Sequence, residues 1–358
     1  MLRIHLLYEY GKDSNPHGCG HIRLLRPFHH PTICNAIKVT QGIELTNVPM
    51  DVVLVERLWR PDISVPLAEK LVADIRKKGA KFLYTLDDNL IDLHINQPWG
   101  SWPNDIMRMV VRYFIREADG VIVSTDNLKN RFNNLNDNIE VVPNALDEQL
   151  FPSENKRIHF DSDKKDSTIL IGYMGTMTHV NDLMMIMQPL REILHQYRDC
   201  VKFQLVGITG EDRISECFKG LAFEPLNVGK HHQYPQFIKW AMENMHWDIG
   251  IAPLEDTKFN KYKSDIKFLD YSLLGIPTVC SDVDAYKKTV RHLETGWLCE
   301  NNAESWFDAL DKLISDKFLR NKIANNAYEY VTINRTLQHR ASDWEDAIRK
   351  LLSKSEIN

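Results

Sequence analysis

Short apolar runs alternate with longer stretches in which apolar residues recur every three or four positions, and the whole alternation occurs twice along the chain. A strand buried on both faces reads as a continuous apolar run, while the helix that crosses over it shows a single apolar stripe. The pattern therefore predicts two parallel sheets, each flanked by helices. In the first series strands are expected at 2–8, 36–39, 52–56, 81–86, 120–124 and 139–142, with helices near 65–78, 104–117 and 126–134. In the second, strands are expected at 168–173, 202–206, 222–228, 247–252, 277–280 and 297–299. The clearest helix of that half, 180–197, aligns Leu183, Ile186, Met187, Leu190, Ile193, Leu194 and Tyr197. A last helix, 336–353, carries a stripe of Leu337, Ala341, Trp344, Ile348 and Leu351 that must be buried somewhere. The stretch 153–167 is charged, lacks apolar periodicity and reads as a linker. At 358 residues the chain is long enough for two cores. The expectation is an α/β chain of two Rossmann-like, doubly wound domains facing a cleft. Residues 1–155 form the first, joined by a C-terminal helix, 336–358, that crosses back; residues 165–335 form the second.

Charge and cysteine usage narrow the function classes. The net charge is −5 and neither half is a polycation, which argues against bulk nucleic-acid binding. Six cysteines include no Cys-x-x-Cys pair and no zinc-like spacing with histidine, so reduced thiols in a cytoplasmic protein are expected. No signal-peptide pattern opens the sequence and no apolar run is long enough to span a bilayer. Membrane contact, at the inner face of the cell membrane, is then expected to be peripheral. One helix suits it: 104–117 sets Arg108, Arg112 and Arg116 beside Met109, Val110, Tyr113 and Phe114. A core helix with a solvated arginine stripe fits the same residues.

The segment richest in chemistry is "DIGIAPLEDTKFNKYKSDIKFLDYSLLGIPTVCSD", residues 248–282. A buried strand runs into a loop with Lys258, Lys261 and Lys263, and a helix opens near Ser264. Lysines beside a helix N-terminus suit a diphosphate, because free backbone N–H groups and the helix dipole add to their charge. Lys267 and Asp270 are one turn apart on that helix. A carboxylate there can accept hydrogen bonds from a ribose diol. A solvated lysine loop with a surface ion pair is the alternative, and the residues alone favour neither.

This segment is similar to a stretch of the family 4 glycosyltransferases of the two-Rossmann-domain (GT-B) class, "KS-x-x-K-x-x-E-Y-x-x-x-G-x-P-x-V" after a strand ending in "aPL". The chain has "KSDIKFLDYSLLGIPTV" after "IAPL", and the resemblance extends to "GYMGTMTHVND", "ADGVIVST" and "VVPNALD". It implies that the second domain holds a nucleoside diphosphate sugar and the first a glycan or glycolipid acceptor. By match, Asp270 stands where a ribose-binding glutamate usually sits, and Lys263, Ser264 and Lys267 fall where the donor diphosphate is held. Gly175 allows close backbone approach, and Thr176 and His179 occupy places where commoner members carry Arg and Lys. A lone histidine is more often a satisfied structural residue, so His179 rests on position alone. Tyr262 replaces the first glutamate of the usual Glu-x7-Glu pair.

In the first domain, Gly18 and Gly20 form a turn that would face the donor phosphates, with Arg23 one helical turn later; an ordinary turn with Arg23 paired to Glu9 is the plainer expectation. Asp87 and Asp88 end the fourth strand, where functional residues of such sheets collect, and are expected to bind the acceptor hydroxyl or act as base. An Asp-x-Asp-type metal site is the rival, and no metal or cofactor is expected beyond the nucleotide-sugar substrate. Trp99 and Trp102 lie in an irregular stretch and offer flat faces to sugar rings. The resulting expectation is a retaining, metal-independent hexosyl- or deoxyhexosyltransferase of cell-surface polysaccharide biosynthesis. A nucleotide-sugar 2-epimerase of the same build, or an inactive homologue acting as a scaffold, are the alternatives.

Overall fold

The computed structural model describes residues 1–11, 13–33, 35–93, 102–151, 168–208 and 218–355. The charged stretch 153–167 and Trp99 lie outside them. The chain divides into two compact units: Met1–Asp147 with Tyr262–Ser264 and Arg335–Asn358, and Glu148–Lys261 with Asp265–Asn334. Residues 262–264, expected in the second domain, thus group with the first.

The first unit is built on six parallel strands, β1 (Leu2–Leu7), β2 (Ile37–Gly42), β3 (Val52–Glu56), β4 (Lys81–Leu86), β5 (Gly120–Val123) and β6 (Ile139–Val141), in the order β2-β1-β3-β4-β5-β6. Every residue of β3 is buried, as a central strand covered on both faces requires. One face packs on helices α1 (Val65–Lys77) and α2 (Asp105–Glu117). The other face, with Ile4, Leu6, Leu54, Leu83 and Ile122, is closed by Leu337, Ala341, Trp344, Ile348 and Leu351 of the chain's end. The stripe read from sequence therefore completes the first unit's core. It is carried by a short turn of helix, Leu337–Arg340, and a longer helix, Ser342–Ser355, where one continuous helix was expected.

The second unit repeats the design with β7 (Ile169–Met174), β8 (Val201–Val206), β9 (Glu224–Leu226), β10 (Ile249–Ala252), β11 (Thr278–Ser281) and β12 (Trp297–Cys299), in the order β12-β11-β10-β7-β8-β9. The expected helix 180–197 is divided into Val180–Met184 and Met187–Gln196. Pro189 explains the break: it has no N–H to give and its ring collides with the carbonyl four residues back, at Met185, so the helix restarts just ahead of it. Helix Ala303–Ser315 is capped by Asn302, whose side chain accepts from Ser305 N at 2.8 Å. Asn302→Ala should cost about 1 kcal/mol, read as a lower urea midpoint for this unit's transition; an unchanged midpoint would show the cap to be idle.

Candidate active site

In doubly wound sheets ligands sit at the carboxyl ends of strands, where the strand order reverses. That point lies between β1 and β3 in the first unit and between β7 and β10 in the second.

At the first, Arg57 follows directly on β3 with a positive φ of 46°, a left-handed conformation that a bulky residue adopts only when its surroundings impose it. Here its N–H donates to the Thr85 carbonyl at 2.9 Å and its own carbonyl accepts from the Tyr84 hydroxyl at 2.8 Å. The guanidinium is thereby set among carboxylates: Glu9 at 3.1 Å, Asp87 at 3.4 Å and Asp88 at 3.9 Å. Asp88 also pairs with Lys263 at 3.1 Å, and the Trp102 ring centroid lies 5.7 Å from Arg57. The structure thus brings Asp87, Asp88, Trp102 and Lys263 together around an arginine that sequence reasoning did not single out. Behind them is Glu56, fully buried, with one oxygen accepting from Glu9 N at 2.9 Å and the other lacking a hydrogen-bond partner among the described residues. Burial, with the charge of Glu9 adding to it, pushes the Glu56 carboxyl up to about 8.

The two glycines of the expected turn belong to a helical run over 18–28 whose middle, His21–Leu25, is π-helical. Gly18 is exposed, and an added Cβ would meet nothing within 4 Å. Gly20 is buried, and a Cβ there would stand 3.0 Å from a Glu56 oxygen, so the close approach it permits is to that carboxyl. Arg23 is only 2% exposed and turns inward, stacking over Trp344 at 4.6 Å and donating to the Val142 carbonyl and to Asn144 Oδ1. The acid suggested for it, Glu9, is instead the partner of Arg57. Asn144 in turn donates to Ser264 Oγ at 2.9 Å, and Thr125 donates to the Tyr262 carbonyl at 3.2 Å. Arg23 therefore reaches Ser264 through Asn144, in the "VVPNALD" segment.

In the second unit the organising residue is Tyr173, fully buried in β7. Its hydroxyl accepts from Lys267 Nζ at 3.2 Å, and Nζ also lies 4.7 Å from the ring centroid, which holds the ammonium over an aromatic face. Gly175 is required by this ring: a Cβ there would come within 2.6 Å of the phenol oxygen. Thr176 is exposed and bonds Thr178 through their hydroxyls. His179 Nδ1 is 2.8 Å from Asp182, whose other oxygen accepts from Glu255 N at 2.9 Å and Asn260 Nδ2 at 3.2 Å. Burial works to raise the Asp182 carboxyl, but His179, then the Glu255 N–H and the Lys267 charge, outweigh it and hold it below the usual range. Asp182 thus ties the first turn after β7 to the loop after β10. Asp270, one turn beyond Lys267, is buried and accepts from the Tyr234 hydroxyl at 2.9 Å. Gly175, His179 and Lys267 are therefore gathered around Tyr173, and Asp270 faces Tyr234.

Residues 266–330 match the family model of the glycosyl transferases group 1. No curated protein matches the chain by sequence. Among solved structures, the chain is similar to sucrose-phosphate synthase from Thermosynechococcus elongatus, with a TM-score of 0.69 at 13% identity over 99% of this chain and 100% of that one. It is also similar to HepE from Anabaena, solved in complex with UDP (TM-score 0.63, 14% identity, 98% of this chain and 100% of that one). A third is a glycosyltransferase from Rickettsia africae (TM-score 0.62, 14% identity, 98% of each chain). At these identities the likeness is one of fold, and the expected pair of Rossmann-like domains is borne out. The resemblance to the GT-B glycosyltransferases is borne out with it, since the group 1 match covers the helix with Lys267 and Asp270.

Proposed function

We propose that this glycosyltransferase moves a hexosyl or deoxyhexosyl group from a nucleoside diphosphate sugar to a hydroxyl of a glycan or lipid-linked acceptor, with retention of configuration and without a metal, in cell-surface polysaccharide assembly. The observation that carries the reading is the group 1 match over the helix Ile266–Leu273, whose Lys267 lies beside the Gly175 turn through Tyr173. Transfer breaks the bond from the anomeric carbon to the diphosphate oxygen and leaves negative charge on the diphosphate. Lys267 neutralises that charge as it develops, which lowers the barrier more than it strengthens ground-state binding, and the resemblance gives Lys263 the same part. In the second unit the Gly175, Thr176 and His179 turn completes the phosphate contacts and Asp270 takes the ribose; by resemblance Ser264 and the backbone N–H groups of Gly18 and Gly20 face the phosphates too. Asp87 or Asp88 binds the acceptor hydroxyl and, as base, takes its proton as that oxygen bonds to the anomeric carbon, with Trp102 against the sugar face. Arg23 acts at one remove, through Asn144. UDP in the HepE complex makes uridine diphosphate sugars the first donors to try.

Peripheral contact with the inner face of the cell membrane is proposed for α2, where Arg112 and Arg116 are exposed together with Ile106 and Met109. Arg108 takes no part in that face, being buried beside Asp105 at 3.6 Å. Among the described residues no helix is long and apolar enough to cross a membrane. One observation favours an inactive scaffold: Tyr262, in place of a glutamate, packs against the first unit's core. A 2-epimerase would convert the donor with no acceptor present.

A thermal-shift panel of UDP, GDP, dTDP and CMP sugars separates the scaffold from the two enzymes: no shift with any donor favours the scaffold. With a donor in hand, Lys263→Ala should weaken binding about tenfold by calorimetry, the scale of one charge-assisted hydrogen bond. Unchanged affinity would remove Lys263 from the donor site.

A further inference from the structure

Asp270 lies in the buried stretch Phe268–Leu273 of its helix, where the neighbouring Tyr271 and Ser272 hydroxyls donate to the Ile251 and Phe268 carbonyls instead of to it. A carboxylate in such a place has lost its hydration and needs donors to replace it. Among the described residues the protein supplies one, the Tyr234 hydroxyl, on Oδ1 at 2.9 Å, and no ion pair. Burial pushes the carboxyl up to about 7, with Tyr234 acting against the rise, so the group is under-satisfied as it stands. A ligand bringing hydroxyl donors would complete its shell.

Tyr234 is well placed to decide where that ligand binds. It opens helix Tyr234–Asn244, is 8% exposed, and is followed by a proline that fixes the first helical turn. The phenol therefore sits on a rigid element, and an aspartate has one fewer rotatable bond than the glutamate usually found at its partner's position. We propose that Tyr234 is a positioning residue that engages Asp270 Oδ1 and so directs Oδ2 to the ribose hydroxyls, making the chain selective for ribonucleotides over 2′-deoxyribonucleotides. The inference rests on the reading of Asp270 as the ribose-binding residue.

The probes are UDP, GDP, ADP and CDP, and the 2′-deoxy counterpart of whichever binds best, measured by calorimetry on the full chain. The wild type should prefer the ribonucleotide about tenfold or more, since a buried polar group facing an absent hydroxyl is left unpaired. Asp270→Asn and Tyr234→Phe should each remove most of that preference, while the affinity for inorganic pyrophosphate stays within twofold of wild type. A merely structural tyrosine would lower ribo- and deoxyribonucleotide affinity alike and leave their ratio intact. Loss of the ratio in Asp270→Asn but not in Tyr234→Phe would overturn the inference alone. A ratio unaffected by Asp270→Asn, or no binding of any of the four nucleotides, would overturn the ribose reading and the inference with it. Equal wild-type affinity for the two sugars would also overturn the inference. Should Tyr234→Phe fail to fold, a fluorinated tyrosine at that position, a stronger O–H donor, should shift the ratio, and an unshifted ratio would count against the role.

Discussion

Lys267→Ala should lower kcat by about a hundredfold to a thousandfold, the usual loss on removing one group aimed at charge that develops in the transition state. The ammonium is not a freely moving surface charge: Tyr173 holds it by a hydrogen bond of 3.2 Å and by its ring face at 4.7 Å. A lysine positioned in advance needs little reorganisation when the diphosphate departs. KM for the donor should rise far less than kcat falls, because the interaction is strongest after the glycosidic bond has begun to break. Tyr173→Phe keeps the ring and removes the hydroxyl, so Nζ loses one tether and keeps the other; about a tenfold loss is expected. If Lys267→Ala left kcat unchanged and raised only KM, the lysine would be a binding group and the electrostatic account of the leaving diphosphate would fail.

Glu56→Gln should stabilise the first unit in alkaline solution and do little in acid. The folded carboxyl is pushed from 4.5 up to about 8, mainly by burial and then by Glu9. Below about pH 4.5 both the folded and unfolded forms hold the proton, and the group takes nothing from stability. Between about 4.5 and 8 the unfolded chain gives up the proton while the folded chain keeps it, so stability falls as pH rises and levels off above the folded value. Glutamine keeps the shape and cannot ionise. The variant should therefore match the wild type near pH 4.5 and exceed it by about 3 kcal/mol at pH 8.5, below the upper bound of about 5 kcal/mol set by the two values. Urea midpoints of the first unit at the two pH values read this directly. A gain of equal size at both would mean that Glu56 is not the proton-linked group. Asp270, raised to about 7, adds a dependence of the same sign in the second unit.

The strands and the two-unit plan were legible because both signals are periodic: β3, β4 and β12 fall on the residues expected. The last helix was legible too, since Leu337, Trp344 and Ile348 on one stripe had to meet an apolar partner, which they find in Phe28 and the β1 and β3 face. The break at Pro189 was readable in principle from proline chemistry, which a count of apolar spacing overrides. Among the candidate residues, Lys267 and Asp270 were singled out because a contiguous motif carries them. Arg57, Glu56 and Glu9 were not, because they meet only when β1 and β3 lie side by side and Arg57 takes up a left-handed backbone that nothing in its own segment signals. Tyr173 and Tyr234 escaped for a related reason: a buried tyrosine looks like core until its hydroxyl is seen on Lys267 or Asp270. Arg23 shows the converse, a residue marked by position that the packing against Trp344 draws inward.

The most direct test of the central claim is the release of free nucleoside diphosphate from UDP, GDP and dTDP sugars by the purified protein, with and without a glycolipid extract as acceptor. One donor should give up its nucleoside diphosphate in an acceptor-stimulated reaction that Lys267→Ala suppresses about a hundredfold or more. Release at the same rate in Lys267→Ala, conversion of the donor to an epimer with no release, or no release from any donor would contradict it.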